Sequence, residues 1–216
     1  AQSSQRSLNL ALYPQPAFQV PQDEWWAEAQ RDKAWWDIWF DEYRSFSLHH
    51  ARFAQQAGLP ALIFGGGWMT PALPGGLLAD GSPSAAPEDA ETRWRDLLSE
   101  IRALYPGQVL WAMPAEQVDQ PPVFLDLVDG IYLEFNFPIG ARAALAEQGS
   151  SLDAQVADWL DNHVAPLQTN SGKSVILAVT YPSDSDLSDQ YQAYLALLQA
   201  VNTRSWIGGF FSQEYY

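Results

Sequence analysis

Two glutamates stand where a carboxyl group could do chemistry. Glu134 interrupts an otherwise apolar run, GIYLEFNF, and shares its alternation with Tyr132 and Asn136. Successive strand residues point to opposite faces, so these three occupy one face and Ile131, Leu133 and Phe135 the other. Glu214 follows the last apolar run, after FFSQ, and stands beside Gln213, Tyr215 and Tyr216. A carboxyl group held in such a place can serve as general acid or base, or can bind hydroxyl groups. Each has a plainer reading. Glu134 could be a structural carboxylate paired with a base or a backbone amide, and Glu214 an acid at a sheet edge. The residues alone leave both readings open.

Aromatic side chains are the second signal, with ten Trp, nine Tyr and ten Phe. Their rings bury large areas, and most are expected in the core. Exposed ring faces also suit the C–H surfaces of sugar rings. Trp68 follows Gly65, Gly66 and Gly67, where a ligand could approach the backbone closely. Tyr13, Trp111 and Tyr181 end or interrupt comparable runs and are candidate ligand contacts, with rim packing as the alternative. His50 falls on the apolar stripe of a helix and reads as a core histidine, and His49 beside it as solvent-facing. His163 sits near a helix end, where a cation complements the dipole. Asp184 and Asp186 read as helix-capping residues. Cysteine is absent, which excludes disulfides and thiolate metal sites, and the three histidines are too scattered for zinc. No cofactor and no metal are expected.

The elements that must position these residues alternate in type. Apolar runs at 8–14, 59–67, 108–114, around 130–137, 173–182 and 206–216 read as strands. Helical periodicity spans 23–58, in one or two pieces, with Trp36, Trp39 or Phe40, Tyr43, Phe46, His50, Phe53 and Ala57 as its stripe. A second helix over 87–107 carries Trp94, Leu97, Leu98, Ile101 and Leu104. A third over 151–167 carries Leu152, Val156, Trp159, Leu160, Val164 and Leu167. A fourth over 186–202 aligns Tyr191, Tyr194, Leu195 and Leu198. The segment 68–87 is a long loop rich in Pro, Gly and Ser, of the kind that is usually functional. Apolar strands alternating with helices predict a parallel sheet covered by helices, either an open doubly wound sheet or a closed barrel. No glycine-rich phosphate motif opens a helix, which weighs against a nucleotide-binding sheet. About six β/α units are visible where a (β/α)8 barrel has eight, so one partial α/β barrel domain over 1–216 is expected.

Five segments in order resemble the clan A glycoside hydrolases, especially the mannanase-like barrels of family 113. They are WFDEYRSFSLHHARFAQQAGLPALIFGGGW, ETRWRDLLSEIRALYPGQVLWAMP, LVDGIYLEFNFPIG, GKSVILAVTYPS and WIGGFFSQEYY. The resemblance runs from about residue 8 to the last residue and implies barrel strands three to eight. It implies a two-carboxylate mechanism on a β-linked, mannan-type polysaccharide. It also implies an acid/base glutamate where Gly67 stands, and a nucleophile in the acid-free stretch Ala178-Val179-Thr180-Tyr181. Glu134 falls where the family carries an inward-pointing acid. The catalytic candidates are therefore Glu134 and Glu214. The substrate-binding candidates are Trp68, Tyr13, Trp111, Asn136, Tyr181 and Gln213. The empty family positions keep two alternatives in view, a degenerate carbohydrate-binding barrel and a structural subunit of an extracellular assembly.

Charge and hydropathy bound the partners. The net charge of -15 disfavours phosphate backbones, so carbohydrate is expected and nucleic acid is not. No apolar run approaches a membrane span of roughly 18 residues, and no signal peptide is visible. An extracellular or cell-surface location is expected, and a partner chain could complete the barrel.

Overall fold

The computed structural model describes residues 10–136, 151–181 and 187–213, the last of them by its backbone. These residues group into two compact units. One runs to Ala112 and includes Pro122–Asp129; the other takes Met113–Pro121 and everything from Gly130.

In the first unit, strands β1 (Ala11–Leu12), β2 (Ala61–Gly65) and β3 (Gln108–Pro114) are parallel and lie in sequence order. The register pairs Ala11 with Ala61, and Leu62 and Phe64 with Val109 and Trp111. The run read as a strand over 8–14 forms only those two residues of ladder. The long helical stretch is indeed two helices, α1 (Gln22–Glu28) and α2 (Lys33–Gln56). Arg31 takes a left-handed φ of 51° between them. Asp32 caps α2 by accepting from the Trp35 backbone N–H at 2.8 Å, and Gly58 leaves the helix at φ 64°.

The buried face of α2 differs from the expected stripe in its second half. Trp36, Phe40 and Tyr43 are buried as expected, but Ser47, Ala51 and Ala54 continue the face, while Phe53 is 51% exposed. One residue is about 100° of helix rotation, so the large side chains at 46, 50 and 53 sit one step off the face. Small side chains there let the helix lie close to its neighbours.

Helix α3 (Ala90–Leu104) buries Trp94, Leu97, Leu98 and Ile101. The Trp94 indole donates to the Ala72 carbonyl at 2.8 Å and so ties α3 to a 3-10 turn over Gly67–Ala72. The loop that follows is tied down too. Leu78 N–H donates to the Ser82 carbonyl at 2.8 Å, Ser84 N–H to the Gly76 carbonyl at 3.0 Å, and Ser84 is fully buried.

The second unit holds β4 (Gly130–Asn136), β5 (Ser174–Thr180) and β6 (Ile207–Gln213), again parallel and in sequence order. Between β4 and β5 lie α4 (Leu152–Trp159), a π-turn (Leu160–Val164) and α5 (Ala165–Ser171). Pro166 explains the wide turn, because its ring and missing N–H cannot continue an α-helical ladder. Helix α6 (Leu187–Asn202) joins β5 to β6. Arg204 staples α4 and the π-turn to the end of α6, donating to the Ala157 carbonyl at 3.3 Å, to Asp161 at 2.7 Å and to the Ala200 carbonyl at 2.7 Å.

The stripe expected on α6 is a correction. Ala193, Ala196, Leu197 and Ala200 are the buried residues, while Tyr191, Leu195 and Leu198 are exposed. As in the second half of α2, mostly small residues face the core, with one leucine in each, Leu48 and Leu197. The six parallel strands with helices between them place the chain in the α/β class as an incomplete (β/α)8 barrel. Among the described residues no helix is long and apolar enough to cross a membrane.

Candidate functional site

Parity decides which side chains of β4, β5 and β6 face the helices. The Phe135 ring lies 4.8 Å from Trp159 of α4, and Phe210 lies 6.0 Å from Tyr194 of α6. The odd positions of β4 are therefore the helix-facing ones, and Tyr132, Glu134 and Asn136 occupy the opposite face. The register aligns Glu134 with Ala178 and Ala178 with Phe211, and Asn136 with Thr180 and Thr180 with position 213. The Tyr132 and Phe211 rings meet on that face at 5.8 Å. Phe211 is 45% exposed, so this face is open in its lower row.

Glu134 is half-buried and is engaged with its surroundings. Its neighbour in the same row, Ala178, is small and fully buried. Asn136, exposed at the last position of β4, adds an amide on the same face. No other acid shares this face among the described residues of the three strands. Glu214 lies outside the described residues, as do Asp184 and Asp186.

In the first unit the glycines serve close approach. Gly66 has φ 109°, and a Cβ there would stand 2.5 Å from the Tyr13 hydroxyl. That hydroxyl donates to the Gly65 carbonyl at 3.4 Å. Trp68 is buried in the 3-10 turn, its ring 5.7 Å from both Phe18 and Tyr43. Its carbonyl accepts from the Trp26 indole at 2.8 Å, and its own Nε1 is buried without an acceptor among the described residues. Gly67 opens that turn and brings no acid to it.

Trp111 packs edge-on against Trp94 and Phe124 and is 1% exposed, so no ring face is open to a ligand. Its odd position in β3 puts it toward α3, which a count from the strand end did not reveal. Tyr181 is buried and turns toward Tyr194 of α6. His50 is half-buried, with Nδ1 2.8 Å from the Phe46 carbonyl, and His49 is exposed. His163 faces Asp119 at 3.3 Å. No group of three or more His, Asp or Glu is placed to hold a metal among the described residues.

The residues alone did not reveal a cleft of about 630 Å³ in the first unit. The loop 16–20 and Trp25 form part of its wall, and Trp39, Glu42, Tyr43 and Phe46 of α2, with Trp68, form the rest. Burial pushes the Tyr43 phenol well above its ordinary value, and the Ser47 hydroxyl and the Gly65 backbone amide beside its oxygen oppose this only in part. The sequence signal was the density of Trp on α1 and α2, which reads equally well as core.

No protein-family model and no curated protein matches this sequence. Solved structures do. A glycoside hydrolase family 113 β-1,4-mannanase is similar over 97% of this chain and 64% of its own, at 20% identity and a TM-score of 0.67. A family 113 β-mannanase from Alicyclobacillus acidocaldarius is similar over 83% of this chain and 52% of its own, at 20% identity and a TM-score of 0.59. A β-glucuronidase from an uncultured Clostridium species follows at 10% identity and a TM-score of 0.55, over 80% of this chain and 29% of its own. This chain thus spans less than two thirds of the length of the mannanases it resembles. At these identities the likeness establishes the fold alone, an incomplete (β/α)8 barrel.

Proposed function

We propose that this chain, as one barrel domain, binds a β-linked polysaccharide of the mannan type and cleaves it by a two-carboxylate mechanism. The observation that carries the reading is Glu134, a half-buried carboxylate on the face of β4 that points away from the helices, with Asn136 beyond it at the strand's C-terminal end. Barrel enzymes assemble their sites from the C-terminal strand ends. Glu134 acts as general acid/base, and Glu214 supplies the second carboxylate at the end of the last strand. Asn136 and Gln213 would bind sugar hydroxyls. Such pairs stand about 5–5.5 Å apart for retention and about 6.5–9.5 Å for inversion. An extracellular or cell-surface location suits a polymeric substrate.

A second reading has its own observation. Gly67, Ala178 and Thr180 leave both positions implied by the resemblance without an acid. This favours a barrel that binds the glycan without cleaving it. Glu134→Gln and Glu214→Gln, assayed on a panel of β-linked polysaccharides, separate the two. Hydrolysis sets in for the wild type and is lost in both variants under the first reading. Binding without release of reducing ends, in all three proteins, is the outcome under the second.

A further inference from the structure

None of the residues lining the aromatic cleft on α2 belongs to β4, β5 or β6, and the lining points to a different ligand. We propose that it binds an organic cation with apolar substituents, of the quaternary ammonium class. Six rings line it: Phe18, Trp25, Trp39, Tyr43, Phe46 and Trp68. Trp39, Tyr43 and Phe46 form a continuous strip along α2, with centroids 5.4 and 5.9 Å apart and ring planes 12° and 27° from parallel. Phe18 links the opposite wall, 5.4 Å from Trp25 and 5.7 Å from Trp68. Aromatic faces carry negative quadrupole potential and attract cations within about 6 Å of the ring centroid.

Charge selects among ligand classes. Among the described residues the lone ionisable group in the lining apart from the Tyr43 phenol is the Glu42 carboxylate, and no Lys, Arg or His lines the cleft. An anion would meet a carboxylate and no counter-charge. A sugar would need several hydrogen-bonding groups set around its ring, whereas beyond the indole N–H groups of Trp25, Trp39 and Trp68 the polar side chains are Glu42, Gln19 and a Tyr43 phenol already set against Ser47 and the Gly65 amide. A cation with methyl groups uses what is present, namely ring faces, apolar walls and one opposite charge. The net charge of -15 raises the local concentration of cations. The volume of about 630 Å³ lies within the range for small-molecule sites, roughly 300–1,000 Å³.

The test is calorimetric titration of the whole protein with choline and, in parallel, with its neutral carbon isostere 3,3-dimethylbutan-1-ol. Choline should bind saturably and the isostere about tenfold more weakly, the ratio expected when desolvated cation–π contact dominates. Glu42→Gln, at an exposed position, should weaken choline about threefold or more and reduce the salt dependence. Trp25→Leu keeps an apolar wall but removes a ring, and should weaken choline while sparing the isostere. Circular dichroism of both variants confirms that they are folded. Equal affinity for the two ligands, no saturable choline binding, or choline affinity unchanged in both variants would each overturn the proposal. So would displacement of choline by mannotriose that is lost in Trp25→Leu, since the cleft would then be a sugar subsite. Loss of polysaccharide hydrolysis in Glu134→Gln leaves these outcomes untouched, so the two proposals stand or fall separately.

Discussion

Trp94→Phe isolates the contribution of one buried hydrogen bond to the first unit. The indole is 1% exposed and packs against Phe40, Tyr43, Trp111 and Phe124, with centroids 5.4 to 5.8 Å away. A phenyl ring keeps much of that contact. It cannot donate to the Ala72 carbonyl, which belongs to a fully buried residue. An acceptor left unsatisfied costs about 1–3 kcal/mol. The lost part of the ring leaves a cavity worth about 1 kcal/mol more. The sum is about 2–4 kcal/mol, which for a domain of this size lowers Tm by roughly 5–15 °C. Urea unfolding followed by circular dichroism measures it, and the midpoint should fall with the slope unchanged. Trp35→Phe is the control. Trp35 is only half-buried, so a loss below about 1 kcal/mol is expected. If Trp94→Phe is within about 0.5 kcal/mol of wild type, the tie between α3 and the 3-10 turn contributes nothing and the reasoning fails.

Three further outcomes follow from the same geometry. Gly66→Ala should destabilise by about 1–3 kcal/mol, from a φ of 109° and the approach to the Tyr13 hydroxyl. Adding Tyr13→Phe should recover only part of that loss, because the backbone strain remains. Arg204→Met should cost about 2 kcal/mol in urea unfolding, since it removes the hydrogen bonds to Asp161 and to the Ala157 and Ala200 carbonyls. Asp37, Glu100 and Asp161 are held below their ordinary values by hydrogen bonds to Lys33 and Arg93, to Arg44 and to Arg204 respectively. A lowered folded pKa gives stability that is present above the unfolded value, near 4, and lost as pH falls through the folded one. Thermal stability should therefore be flat from neutral pH down to about 5 and fall below about 4, less steeply in high salt.

Much of the fold was legible because strands and helices in this chain differ in period. The run GIYLEFNF declared its parity, and β4 keeps Glu134, Tyr132 and Asn136 on one face as the alternation required. Helix faces were less legible. Trp36, Phe40 and Tyr43 are buried as read, but Phe53 of α2 and Tyr191, Leu195 and Leu198 of α6 are exposed, and Ser47, Ala51 and Ala54, and Ala193, Ala196 and Ala200, with Leu48 and Leu197, hold those faces. Hydrophobic size marks a stripe, but close approach to a neighbouring element favours small side chains. Strand-end aromatics show a similar gap. Trp111 stands near a strand end, but its parity sends it into the layer beneath α3. The cleft on α2 was hidden for another reason. Its walls join the loop 16–20 to residues of α2, and no local pattern reports that meeting.

The most direct test of the central claim is release of reducing ends from β-mannan by the purified whole protein, compared with Glu134→Gln. Release by the wild type, abolished in the variant while mannan binding survives, is the result this account predicts. Release that continues undiminished after Glu134→Gln, or no release from any β-linked polysaccharide by the wild type, contradicts it.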